Sequence, residues 1–284
     1  MSLNRANNIL VGLIILLSLI ASSYGFFSNK AAYLEKTIQT INGDTVTLYG
    51  KGLYYNDSVS LASQARAQDI ITLFAGIPLL IISLFFSNRN SLKGRLVLTG
   101  ILGYFLYTYI SYSFLATYNK FFLIYVVLMT LSLFSFIINF TSPELKEVKN
   151  HFKPEFPNKY FGVFCIITGL IICLMWLGRI IPSIGKLPAE LEHYTTMVIQ
   201  AMDLGLIVPV AIMSGILLLK NKSLGYLLTS VIAIKGAALS LALVMMIIFQ
   251  LISGVNVHFI EIITFSLFAL FFSFNLFLLF RNIK

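Results

Sequence analysis

Residues Gly225–Ile252 read GYLLTSVIAIKGAALSLALVMMIIFQLI. The run is too long and too apolar for a helix of a soluble core, and it covers the roughly 20 residues needed to cross a hydrocarbon layer about 30 Å thick. Lys235 sits near its middle. An ionisable side chain at that depth costs roughly 3 kcal/mol on insertion scales, so it usually has a partner or a task. The stretch is read as a membrane span carrying a charge, and the rest of the chain is read outward from it.

Hydrophobic residues make up 58% of the 284 residues and charged residues only 11%, against about a quarter charged in soluble proteins. Seven more segments qualify as spans, at about 9–27, 69–87, 96–117, 121–140, 160–182, 197–219 and 259–280. Each is expected to be helical, because lipid offers no partner to unpaired backbone groups and the alternating pattern of barrel strands is absent. The expected fold class is an all-α membrane protein with eight transmembrane helices.

The net charge of +9 is unevenly distributed. Arg5, then Arg89, Lys93 and Arg95, then Lys146, Lys149, Lys153 and Lys159, then Lys220 and Lys222, and finally Arg281 and Lys284 fall in alternate short connections and tails. Lys30, Lys36, Lys51, Arg66, Lys120 and Lys186 are spread over the longer connections on the other side. Cytoplasmic loops are rich in Lys and Arg. Both termini are therefore expected in the cytoplasm and the protein in the cytoplasmic membrane, with the lipid bilayer as partner. The basic excess is read as an orientation signal and not as a nucleic-acid surface. Arg5, the apolar run and Ala21-Ser22-Ser23 also fit a cleaved leader, but apolar character persists to Phe27, which favours an uncleaved first span.

One long outer segment, 28–68, contains Thr37–Ile41 and Thr45–Tyr49 around Asn42-Gly43-Asp44, a hairpin signal. Asp57 or Ser58 is expected to cap a helical lead-in to the second span. The segment 141–159, with Pro143, Pro154 and Pro157, reads as a cytoplasmic linker between two four-helix halves, 1–140 and 160–284. The halves share a rhythm of spans and loops. Asp69 and Asp203 open corresponding spans, Pro78 and Pro209 follow, and Ser91-Leu92 and Ser223-Leu224 stand in the matching turns. The expectation is a parallel 4+4 tandem repeat about an axis along the membrane normal.

Asp203 and Lys235 are the two ionisable residues placed deepest, and counting from the inner loop puts them at similar depth. They lie in small-xxx-small frames, Ala201-xxx-Gly205 and Gly236-xxx-Ser240. Two readings stand: an ion pair or snorkelling lysine that fixes packing, or the charged element of a polar pathway. Asp203 shares a face with Gln200 and Thr196. A retinal-type lysine is disfavoured by Val231 four residues earlier and by the lack of an acid in the third span. In that span Tyr104 and Thr108 are candidate cavity-lining residues, and Asp69 is the candidate counterpart of Asp203. Arg179 reads as an anchor near the outer end of the fifth span, with Asp69, Glu190 or Glu261 as partner. No catalytic constellation, metal-ligand spacing or cofactor motif is found, and Cys165 and Cys173 are about 12 Å apart on one helix, too far for a disulfide. An enzyme is the less favoured reading.

The stretches Gln64–Leu73, Ser91–Leu96, Gly103–Tyr107, His193–Thr196 and Ala201–Gly205 resemble a group of uncharacterised bacterial multi-spanning membrane proteins. The resemblance implies a prokaryotic cytoplasmic membrane and no particular activity. The functional expectation is a small carrier or permease-like protein whose passenger is a small solute or a proton. The alternative is a non-transporting sensor or scaffold acting through the outer loop and the linker.

Overall fold

The computed structural model describes residues 3–33, 36–40, 43–186, 188 and 191–284. Among the described residues, eight helices are long and apolar enough to cross a membrane. They are α1 (Leu3–Phe27), α2 (Val59–Asn88), α3 (Leu92–Phe114), α4 (Phe122–Phe140), α5 (Asn158–Ile180), α6 (Val198–Leu219), α7 (Ser223–Ile252) and α8 (Phe259–Arg281). Polarity is inverted relative to a soluble protein. Leu16, Ile82, Leu123, Leu174, Leu206 and Phe277 point outward, while Asn7, Gln68, Asp69, Ser135, Ser214 and Thr229 are buried between helices. That arrangement suits lipid, where association depends on close packing and interhelical hydrogen bonds.

Those buried groups are paired across helices. Ser135 Oγ and Asn139 Nδ2 on α4 donate to Asn7 Oδ1 on α1, at 2.7 and 2.8 Å. Ser214 of α6 and Thr229 of α7 lie 2.8 Å apart, with the Cys165 thiol of α5 beside both. Close approach is set by glycines. Gly215 faces the Gly162 carbonyl across α5 and α6, and Gly100 of α3 presses on Ile234 of α7. Gly236 does meet a neighbour, Phe272 of α8, but Gly205 faces open space. The Ala201-xxx-Gly205 frame therefore seats no helix. Thr196 precedes the start of α6 at Val198, so it shares no helical face with Asp203.

α7 runs along both α2 and α3, whereas α6 meets α3 chiefly through its first turn, Val198–Met202. Two helices widen at matching places. α2 contains a π turn over Thr72–Gly76 just before Pro78, and α6 one over Asp203–Ile207 just before Pro209. A proline inside a helix lacks its N–H and clashes with the preceding turn, and a wider turn accommodates the ring. The tight connections that follow close on Asn90 and Asn221 at φ 61° and 54°, a left-handed conformation that asparagine tolerates. Gly94 and Gly225 then pack against the ends of α2 and α6, where any side chain would strike backbone.

On the hairpin face, strands β1 (Thr37–Gln39) and β2 (Thr45–Thr47) pair antiparallel. They are shorter than the expected stretches because Leu48 bridges to Ser58 and the Tyr49 amide donates to the Asp57 carbonyl. Ile41, expected to end the first stretch, and Asn42, expected at the turn, lie outside the described residues. Ser58 caps α2 by accepting from the Leu61 amide at 3.1 Å. On the opposite face the linker is folded, since Phe152 bridges to Ile283 and Arg95 pairs with Glu144 at 2.7 Å.

Asp57 is buried where three loops meet, accepting from the Thr117 amide at 2.8 Å and from the Tyr194 hydroxyl at 3.2 Å. Burial pushes its carboxyl up to about 6, against the pull of the Thr117 and Tyr194 donors and helped by the charge of Glu192. The folded cap thus holds this proton more tightly than the unfolded chain does. The associated stability is present at low pH and lost as pH rises through about 6. Hydrogen exchange at the Thr117 and Tyr49 amides is expected to slow between pH 7.5 and pH 5, after correction for intrinsic rates. Asp57→Asn should flatten that dependence, and protection that instead grows with pH would contradict it.

Candidate functional site

Asp203 begins the π turn of α6, half-buried. Its two carboxylate oxygens are held by two different helices, α3 and α5. Tyr107 Oη of α3 donates to Oδ1 at 2.9 Å, and Trp176 Nε1 of α5 donates to Oδ2 at 2.9 Å. Lys235 of α7 completes the group, with Nζ 3.9 Å from the centre of the Tyr107 ring. Four helices therefore contribute one polar side chain each.

Asp203 and Lys235 form no direct ion pair among the described residues. Tyr107 stands between them, its ring against the ammonium and its hydroxyl on the carboxylate. A cation over a phenol ring is attracted by the ring face, by about 0.5–2 kcal/mol, and withdraws density from the hydroxyl, which strengthens it as a donor. Lys235 and Asp203 are thus coupled through one aromatic ring. The ammonium keeps hydrogen-bonding capacity for a further group, since a ring face takes none of its donors.

Arg179 lies one turn from Trp176, its guanidinium 5.6 Å from the indole ring centre. It also pairs with Glu261 of α8 at 3.1 Å, at a site almost half exposed. Of the three expected partners Glu261 is the one observed, and Glu190 lies outside the described residues. An exposed pair of this kind contributes little stability. Gly178, beside Arg179, and Gly205, two residues after Asp203, both face open space.

The remaining sequence candidates lie elsewhere. Asp69 is 1% exposed and accepts from Tyr54 Oη at 2.7 Å and Tyr112 Oη at 3.3 Å. It sits against Gly25 of α1, where even a methyl group would collide with its carboxylate. Asp69 thus ties the hairpin loop to α1–α3 and, among the described residues, shares no hydrogen-bond partner with Asp203. Tyr104 and Thr108 are buried as well, both receiving the side-chain amide of Gln68. They form a closed knot between α2 and α3. Gln200 is half-buried one turn before Asp203.

Two members of the site, Tyr107 and Trp176, are not among the candidate pathway residues taken from the sequence. Tyr107 lies three residues after Tyr104, on a face of α3 turned toward the last four helices. Trp176 is the only tryptophan of the chain and stands three residues before Arg179, which was a usable signal. Comparison of the chain with protein-family profiles, with curated proteins and with solved structures gives no match in any of the three. The geometry alone therefore describes the chain, as a multi-spanning membrane protein in which two charged and two aromatic side chains meet between four helices.

Proposed function

We propose that the protein is a small membrane carrier whose pathway runs between two four-helix halves, residues 1–140 and 160–284, past Asp203, Tyr107, Trp176 and Lys235. The observation that carries the reading is the link, through one phenol, between a carboxylate and an ammonium that has no ion-pair partner among the described residues, with partners drawn from both halves. A purely architectural pair would gain most by direct contact, because two charges held apart at membrane depth each keep much of their desolvation cost. The arrangement suits a small solute bearing an anionic group for Lys235, or a proton relayed between Asp203 and Tyr107.

The backbone supports the tandem repeat behind this reading. Thr72, Pro78, Asn90 and Gly94 recur at one constant interval as Asp203, Pro209, Asn221 and Gly225. In that register Asp203 stands opposite Thr72, and Asp69 stands opposite Gln200. Lys235 stands opposite Tyr104. The first half thus fills the equivalent place with neutral, buried groups, and the second half with charges. Repeats of four spans run parallel, and the basic linker face is read as cytoplasmic.

The single tryptophan provides the test. Its indole N–H is on Asp203, so occupancy of the site should alter its emission. The purified protein is to be titrated with small carboxylates, phosphates and zwitterionic amino acids, and across pH 5–9. Any class that shifts emission is then tested for counterflow in proteoliposomes. A saturable shift matched by counterflow supports a carrier. Emission indifferent to every solute and to pH, with no counterflow, would sink the proposal.

A further inference from the structure

The geometry points to a binding site for one anionic phospholipid at the hairpin-face end of α1, formed by a dicationic pocket continuous with an apolar groove. The pocket, about 330 Å³, lies between the turn after α1 and the α3–α4 connection and is lined by Lys30, Lys120, Asn119 and Tyr24. A second, more open depression of about 430 Å³ continues along α1 over Ile20, Ser23 and Phe27. The two share Tyr24 and Ser28.

Each part matches a different portion of a lipid. The pocket lies where α1 ends at Phe27, and Tyr24 there is the kind of amphipathic ring that occupies the headgroup level. Lys120 Nζ donates to Tyr24 Oη and lies 3.8 Å from its ring centre, which leaves further ammonium donors for a ligand. Among the described residues neither Lys30 nor Lys120 has an ion-pair partner. Basic residues are sparse on this face, and two of them line one concavity. The walls are fixed, since the Gly52 amide donates to the Lys30 carbonyl at 3.0 Å and the Leu53 amide to Ser28 Oγ at 2.9 Å. Below, Ile20 and Phe27 are exposed large apolar side chains that an acyl chain would cover. Two ammonium groups select a net negative headgroup over a zwitterionic one, and the groove selects a lipid over a free anion.

Native mass spectrometry of the full chain in neutral detergent tests this, with phosphatidylglycerol, phosphatidylcholine and inorganic phosphate as separate probes. One phosphatidylglycerol should be held more tightly than phosphatidylcholine. The double variant Lys30→Gln with Lys120→Gln should weaken that site roughly thirtyfold, as two lysines near an anionic surface suggest. Ser23→Trp, which fills the groove without touching the charges, should weaken phosphatidylglycerol while leaving any phosphate binding unchanged. Unaltered melting temperatures show that the variants are folded, and Lys120→Arg should restore binding if Lys120→Gln disturbs Tyr24. Equal retention of the two lipids, or an unchanged affinity in the double variant, would overturn the assignment. So would inorganic phosphate competing as well as the lipid, or dimers appearing in place of lipid adducts.

Discussion

Asp203→Asn and Lys235→Met are each expected to reduce carrier-mediated uptake into proteoliposomes by about two orders of magnitude. In Asp203→Asn the new side-chain amide keeps a carbonyl oxygen that can accept from Tyr107 or Trp176, so the packing of α3, α5 and α6 should survive while the charge is lost. A hydrogen bond to a charged group is worth about 1.5–3 kcal/mol, and about 2.8 kcal/mol corresponds to roughly a hundredfold. In Lys235→Met the apolar stem is replaced almost isosterically and only the ammonium over the Tyr107 ring disappears. Tyr107→Phe cuts the link at its centre and should resemble both. Asp69→Asn serves as a contrast, because Asp69 is enclosed by Tyr54 and Tyr112 and touches none of the four site residues. Uptake rates are compared at equal amounts of reconstituted, monodisperse protein. Uptake at wild-type rates in the Asp203 and Lys235 variants would remove both residues from the mechanism.

Gly215→Val is expected to destabilise the bundle by about 3 kcal/mol, at the upper end of overpacking penalties. A side chain at Gly215 would run into the Gly162 carbonyl, and its Cβ would lie 2.6 Å from Ile166 Cγ1. The first obstacle is backbone, which cannot rotate away, so α5 and α6 must separate. Separation would also pull Ser214 from Thr229 and Cys165, the polar knot that joins α5, α6 and α7. Gly12→Val is the control, since Gly12 of α1 has nothing within 4 Å of its side-chain position. Thermal unfolding in detergent, followed by size-exclusion profile, should show a large loss for Gly215→Val and little change for Gly12→Val. Equal behaviour of the two would mean that the α5–α6 contact is not what holds this side of the bundle.

Asp203 and Lys235 were legible because each is a charge inside an apolar run, and bilayer energetics single out such residues whatever the fold. Their relation was not. Depth counting placed them at similar height, but only the packing of α3 against α6 and α7 inserts Tyr107 between them. Helical-face reasoning favoured Tyr104 and Thr108 instead. It failed because α3 is buried on nearly every side, so the polarity of one face does not indicate which neighbour it meets. Pro78 and Pro209 served in the sequence only as matching landmarks, and the π turns before them, one of which begins at Asp203, were not foreseen. The pairing of Asp69 with Asp203 rested on their place near the start of a span. In the proposed repeat, the register set by the turns and glycines places Asp203 opposite Thr72 instead.

By itself, the sequence determined that eight helices are long and apolar enough to cross a bilayer, where a small hairpin stands, and which charges fall inside apolar runs. These follow from one-dimensional quantities, namely the length of apolar runs, the positions of turn residues, and the cost of a charge in hydrocarbon. Tertiary structure decided which of the polar residues meet. In a membrane bundle nearly every helix is apolar toward lipid, so its inward face is specified by glycine contacts and interhelical hydrogen bonds that join residues far apart in the chain. Trp176 and Tyr107 converge on Asp203 through interhelical hydrogen bonds, Lys235 meets the Tyr107 ring, and no interval along the sequence encodes these contacts.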